Sequence, residues 1–99
     1  MRIERDGERV TVFAEGRIDA NNAPQFAADM ETAIEGTTDL TIECTGLEYI
    51  SSSGLRAVML ALKTMGDRGQ IRITGVNDYV YTIFEVTRFT EMMEIDTAK

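Results

Sequence analysis

Apolar residues alternate over Val10, Val12 and Ala14, and the Asp6-Gly7 pair separates this run from the stretch Arg2 to Arg5, so the pattern predicts an opening β-hairpin. From Asn22 the period changes. Ala23, Phe26, Ala27, Met30, Ala33 and Ile34 recur at helical spacing, with Asn22 placed as N-cap, Pro24 in the first turn and Gly36 as the stop. Alternation returns over residues 39–44, where Leu40, Ile42 and Cys44 share a face of a third strand. Gly46, Leu47, Tyr49 and Ile50 then form an exit loop into a serine cluster. A second helix is expected from about Gly54, with Leu55, Val58, Met59, Leu62 and Met65 on its core face and a stop near Gly66 or Gly69. Ile71 and Ile73 mark a fourth strand, and Asn77 is placed to cap a third helix with Val80, Ile83, Phe84 and Thr87 inward. The tail from Met92 to Ile95 adds a short extended segment.

The predicted fold is α/β, in the order β-β-α-β-α-β-α. Strands separated by helices run parallel through right-handed crossovers, so the antiparallel hairpin makes the sheet mixed, with four to five strands and three main helices. Phe13 points away from Val10, Val12 and Ala14, which suggests that the second sheet face is not wholly wet.

At 99 residues the chain supports one core, so residues 1–99 are read as one domain. It contains no histidine and one cysteine, Cys44, which excludes a histidine-based triad, an internal disulfide and a cysteine/histidine metal site. No metal or cofactor is expected, and Cys44 reads as a core residue. The net charge of −7 opposes binding to nucleic acid and anionic lipid, which leaves a protein as the expected partner. The charged start of the chain and the lack of a long apolar run point to a cytoplasmic protein without a membrane segment. Glu43 and Glu48 read as solvated carboxylates, Met92 and Met93 as a hydrophobic closure, and Tyr79 and Tyr81 as packing with the third helix or lying at its edge.

The segment that could carry chemistry is Ser51-Ser52-Ser53-Gly54, between a strand and a helix. One serine suffices as a cap worth about 1 kcal/mol, and Gly54 permits close backbone approach. On the residues alone the segment reads either as an ordinary capped helix or as an anion or phosphorylation site, because helix N-termini favour negative charge.

Gly16-Arg17-Ile18-Asp19 after the second strand, and Tyr49-Ile50-Ser51-Ser52-Ser53-Gly54-Leu55 before the second helix, together with the element order, resemble the STAS domains. Within that family the chain is similar to the stand-alone anti-sigma-factor antagonists of bacterial partner-switching systems. The resemblance implies a small STAS-like domain that is not an enzyme. Unphosphorylated, it would bind a kinase-type anti-sigma factor, and serine phosphorylation would release it, with a serine phosphatase to reset it. The acceptor position falls on Ser52, and Ser51, Ser53, Gly54 and Leu55 complete the loop and helix start. The family pattern has aspartate immediately before the acceptor where this chain has Ser51, which keeps Ser51 and Ser53 as alternative acceptors. The resemblance also places Asp19, with Asn21 beside it, near the acceptor, although turn or cap chemistry serves equally well for Asp19.

Beside its core stripe the second helix carries Ala57, Leu60 and Ala61. These either meet a partner, framed by Arg56 and Lys63, or are covered by a neighbouring helix. Two other functions compete: a constitutive STAS scaffold whose serines only cap, and a phosphate-binding protein or hydrolase. The latter lacks the spaced glycines and lysine of a P-loop.

Overall fold

The computed structural model describes residues 2–97, Asp67 by its backbone alone. Strands β1 (Arg2–Asp6) and β2 (Arg9–Phe13) form the antiparallel hairpin, and β3 (Gly16–Ile18) continues the path of β2 into helix α1 (Ala23–Ile34). Next come β4 (Asp39–Glu43), β5 (Leu47–Ile50), α2 (Ser52–Met65), β6 (Gln70–Val76), α3 (Asp78–Val86) and β7 (Glu94–Thr97). The main sheet has the order β1-β2-β4-β6-β7, parallel except for the opening hairpin. The mixed sheet expected with four to five strands and three helices is therefore present, with five strands. β3 and β5 pair as a separate parallel ribbon, so residues 47–50, expected as a loop, are a strand.

Register explains the core. Val12 pairs with Ile42, and Ile42 with Ile73, which places three nearly inaccessible side chains in one row under the helices. Each β-branched residue suits the pleated surface and buries most of its apolar area there, a stabilisation of about 1.5–3 kcal/mol per side chain. Phe26 and Met30 of α1, Val58 and Met65 of α2, and Val80 and Phe84 of α3 complete one continuous core. The other face carries half-buried Thr11, Thr41, Glu43, Arg72 and Thr74. Phe13 is sheltered there by the Arg2 guanidinium, 3.8 Å from its ring centroid, and Arg72 pairs with Asp39 at 3.1 Å.

The packing of α2 differs from the sequence expectation. Ala57 and Ala61 are buried, whereas Leu55, Met59 and Leu62 are only half-buried. Helices α1 and α2 pack side by side, and small residues at their contact let the backbones approach while the longer side chains spread towards the edges. Thr87 is exposed just past the end of α3, where its hydroxyl donates to the Ile83 carbonyl at 2.7 Å. Met92 is also exposed, so only half-buried Met93 closes the core.

The small ribbon exists because the sheet breaks along a line. β2 is interrupted at Ala14-Glu15 and β4 at Cys44-Thr45-Gly46, and β6 has a register shift between Ile73 and Val76. Within that shift Gly75 has φ of +75°, and a Cβ there would lie 2.5 Å from Thr45 Oγ1. Glu43, expected as a solvated carboxylate, is half-buried and accepts the Thr45 N–H at 2.8 Å and the Thr45 hydroxyl, which fixes the bend. Beyond this line β3 and β5 run on to the end of the molecule where α1 and α2 begin.

Candidate functional site

Ser51 leaves β5 in an extended conformation, and its N–H donates to the Ile18 carbonyl of β3 at 2.8 Å. Its hydroxyl oxygen accepts the Gly54 N–H at 3.3 Å and its carbonyl accepts the Leu55 N–H at 2.9 Å. Ser51 is therefore the N-cap of α2, which starts two residues earlier than the sequence suggests. Ser52 and Ser53 occupy the first two helical positions. Both are exposed, and neither hydroxyl makes a hydrogen bond among the described residues.

Gly54 holds this turn down on the ribbon. A Cβ at this position would lie 2.7 Å from Ile50 Cγ1 and 2.8 Å from Ile18 Cγ2, closer than any stable carbon contact. Only glycine lets the first turn of α2 sit directly on these two buried isoleucines. Leu55 follows, half-buried against the core.

The start of α1 lies alongside. Asp19 Oδ1 accepts the N–H of Asn21 at 2.9 Å and of Asn22 at 3.3 Å, and Asn22 Oδ1 accepts the Asp19 N–H at 2.8 Å. These reciprocal bonds close the turn that leads into α1. Asn22 stands at the N-cap position of α1 as expected, its carbonyl accepting the Phe26 N–H at 3.0 Å, but its side chain serves the turn instead of the helix, its amide donating to the Arg17 carbonyl at 2.7 Å. Asp19 and Asn21 are thus brought to the same end of the fold as the serines, but no bond joins the Asp19 carboxylate to a serine hydroxyl.

A shallow groove of about 200 Å³ runs from the serine turn between α1 and α2. It is lined by Ser53, Arg56, Ala57 and Leu60 on one side and by Ala20, Ala23, Pro24 and Ala27 on the other, and continues towards Met30 and Thr64. Leu60 is 54% exposed, so α1 covers the two alanines of the second stripe but not its leucine. Arg56 is exposed and makes no ion pair among the described residues. Lys63 is exposed in the last turn of α2 and does not line this groove.

Asn77 caps α3 as expected, its Oδ1 accepting the Val80 N–H at 2.7 Å while its amide donates to the Leu47 carbonyl at 3.2 Å. Tyr79 stacks on Tyr49 with centroids 6.3 Å apart, and Arg17 lies 4.4 Å over Tyr49. The pairing of β3 with β5, which sets Arg17 opposite Tyr49, gives no clear signal in strands so short.

Cys44 is buried, and desolvation, assisted by the nearby Glu43 charge, pushes its thiol up to about 12. It is protonated and unreactive near neutral pH. Among the described residues no group of three acidic or cysteine side chains is placed to hold a metal ion, and no helix is long and apolar enough to cross a membrane.

Residues 1–94 match the family model described as "Mlab, STAS domain". The anti-sigma-B factor antagonist of Listeria monocytogenes is 30% identical over 94 residues, spanning 93% of this chain and 82% of that protein. Among solved structures, an anti-sigma factor antagonist from Mycobacterium paratuberculosis superposes with a TM-score of 0.86 at 15% identity, covering 96% of this chain and 82% of that one. The Bacillus cell fate determinant SpoIIAA, in its phosphorylated form, gives a TM-score of 0.75 at 20% identity, covering 97% and 90%. Both structures share the fold described above.

Proposed function

The chain belongs to the STAS domain family, in its anti-sigma-factor antagonist group, and from that premise we propose that it binds a kinase-type anti-sigma factor and is released by phosphorylation of Ser52. The observation that carries this reading is the division of labour at the mouth of α2. Ser51 serves as the cap, Ser53 opens onto the groove, and Ser52 presents an exposed hydroxyl without a bonding partner at the first helical position. A relative named for antagonism of anti-sigma-B factor, and a structural neighbour solved in a phosphorylated form, support the same reading.

The switch is electrostatic. A phosphate adds about −1.5 to −2 charges at pH 7, and the free N–H groups and dipole of α2 accommodate that charge within the fold. Against an apposed protein the same charge must be desolvated, and a penalty of about 3–4 kcal/mol weakens binding by about 10² to 10³-fold. The groove beside the serines supplies the contact, with Leu60 as its apolar anchor and Arg56 as its cation. The chain acts in the cytoplasm as a binding protein, and a serine phosphatase returns it to the binding state.

The test is calorimetric titration of a candidate anti-sigma factor with the wild-type chain, its phosphorylated form and Ser52→Ala. Ser52→Ala binds like wild type, whereas the phosphorylated form binds at least about 100-fold more weakly. Equal affinity of the phosphorylated and unphosphorylated chains overturns the proposal. Ser51, standing where the family pattern has aspartate before the acceptor, favours a second reading, a constitutive STAS interaction domain without a switch. That reading expects a stable complex in which no serine is ever modified.

A further inference from the structure

Among the described residues, the two most exposed large apolar side chains are Val86 at 72% and Tyr79 at 58%, both on α3. Seven positions apart, they lie on one face of the helix, with Thr82 between them and half-buried Ile83 at the edge. The core is served by the opposite face through Val80 and Phe84. Single exposed apolar residues are ordinary, but this pair continues into an ordered surface, because the Tyr79 ring is held by its stack on Tyr49 under Arg17. A ring fixed in advance loses little entropy when it is covered.

Charge selects what would cover it. Asp78 and Glu85, also seven apart, line one flank of the same face, and neither has an ion-pair partner among the described residues. A second copy is a poor occupant, since antiparallel pairing of α3 about a two-fold axis sets Asp78 of one copy beside Glu85 of the other. An anionic lipid surface is repelled by the net charge of −7.

We propose that the outer face of α3 is a docking surface for a basic amphipathic helix of a protein partner, whose apolar side chains cover Tyr79 and Val86 and whose cations meet Asp78 and Glu85. α3 packs on β5, β6 and β7, and none of its residues lines the groove between α1 and α2, so the two surfaces are distinct. The inference does not rest on phosphorylation or on an anti-sigma factor.

The isotope-labelled chain, titrated with a synthetic lysine/leucine peptide in amphipathic helical register and with its glutamate/leucine counterpart, tests this by amide chemical shifts. Saturable shifts centred on α3 and Tyr49 are expected with the lysine peptide alone. Val86→Asp and the double variant Asp78→Lys/Glu85→Lys each weaken binding about tenfold or more, whereas Leu60→Asp does not. The altered side chains are exposed, so unchanged thermal midpoints separate loss of binding from loss of fold. Shifts centred on the α1/α2 groove, equal affinity for the two peptides, insensitivity to the α3 variants or no saturable shift would each overturn the proposal.

Discussion

Two helices begin side by side at one end of this molecule, each preceded by a cluster of small polar residues, and the two clusters are used differently. Before α1, Asp19 and Asn22 exchange hydrogen bonds and Asn22 ties back to Arg17, so these side chains are taken up by the fold. Before α2, one hydroxyl makes the cap through a 3.3 Å bond and the next two are left in solvent. Clusters that look alike in sequence therefore separate into one that builds a helix start and one that has more functional groups than a helix start requires. The surplus is the candidate switch.

The largest effect is expected at Gly54, where the second cluster meets the ribbon. Gly54→Val forces carbon atoms into Ile18 and Ile50 and should cost about 2–3 kcal/mol in urea denaturation. A loss below about 0.5 kcal/mol would mean that α2 lifts off the ribbon freely. Asp19→Ala removes the side-chain acceptor that closes the turn before α1 and should cost about 1–2 kcal/mol, whereas Asp19→Asn stays within a few tenths. If Asp19→Ala left stability intact while lowering phosphorylation, the carboxylate would serve the site and the comparison would fail. Ser51→Ala should cost about 0.5–1 kcal/mol. Ser52→Ala and Ser53→Ala, measured in the same way, should each change stability by less than about 0.5 kcal/mol. A larger loss at Ser52 than at Ser51 would reverse the assignment of cap and surplus.

Long patterns were legible in the chain and short ones were not. The helical spacing from Ala23 to Ile34 and the alternation of Leu40, Ile42 and Cys44 give α1 and β4 closely, because each buries the regular apolar face that its spacing marks. Helix α2 meets α1 through small residues, so spacing alone favoured its large residues and missed the burial of Ala57 and Ala61. The three residues of β3 and four of β5 are too few for a period, and Leu47 and Ile50 are both buried without strict alternation. That the Asn22 side chain closes the turn with Asp19 instead of capping α1 depends on side-chain geometry, which residue types alone do not determine. Ser51-Ser52-Ser53-Gly54 stood out because it has more hydroxyls than one cap requires, but which serine caps follows from the backbone conformation.

The central claim is that Ser52 is the surplus hydroxyl on which the switch acts. It is tested most directly by incubating the chain with ATP and a kinase-type anti-sigma factor that binds it, then mapping the modification by intact-mass and fragment mass spectrometry. A single phosphate on Ser52, absent from Ser52→Ala, is the predicted result. A chain that is bound but never modified, or a phosphate on the capping Ser51 instead, would contradict the account.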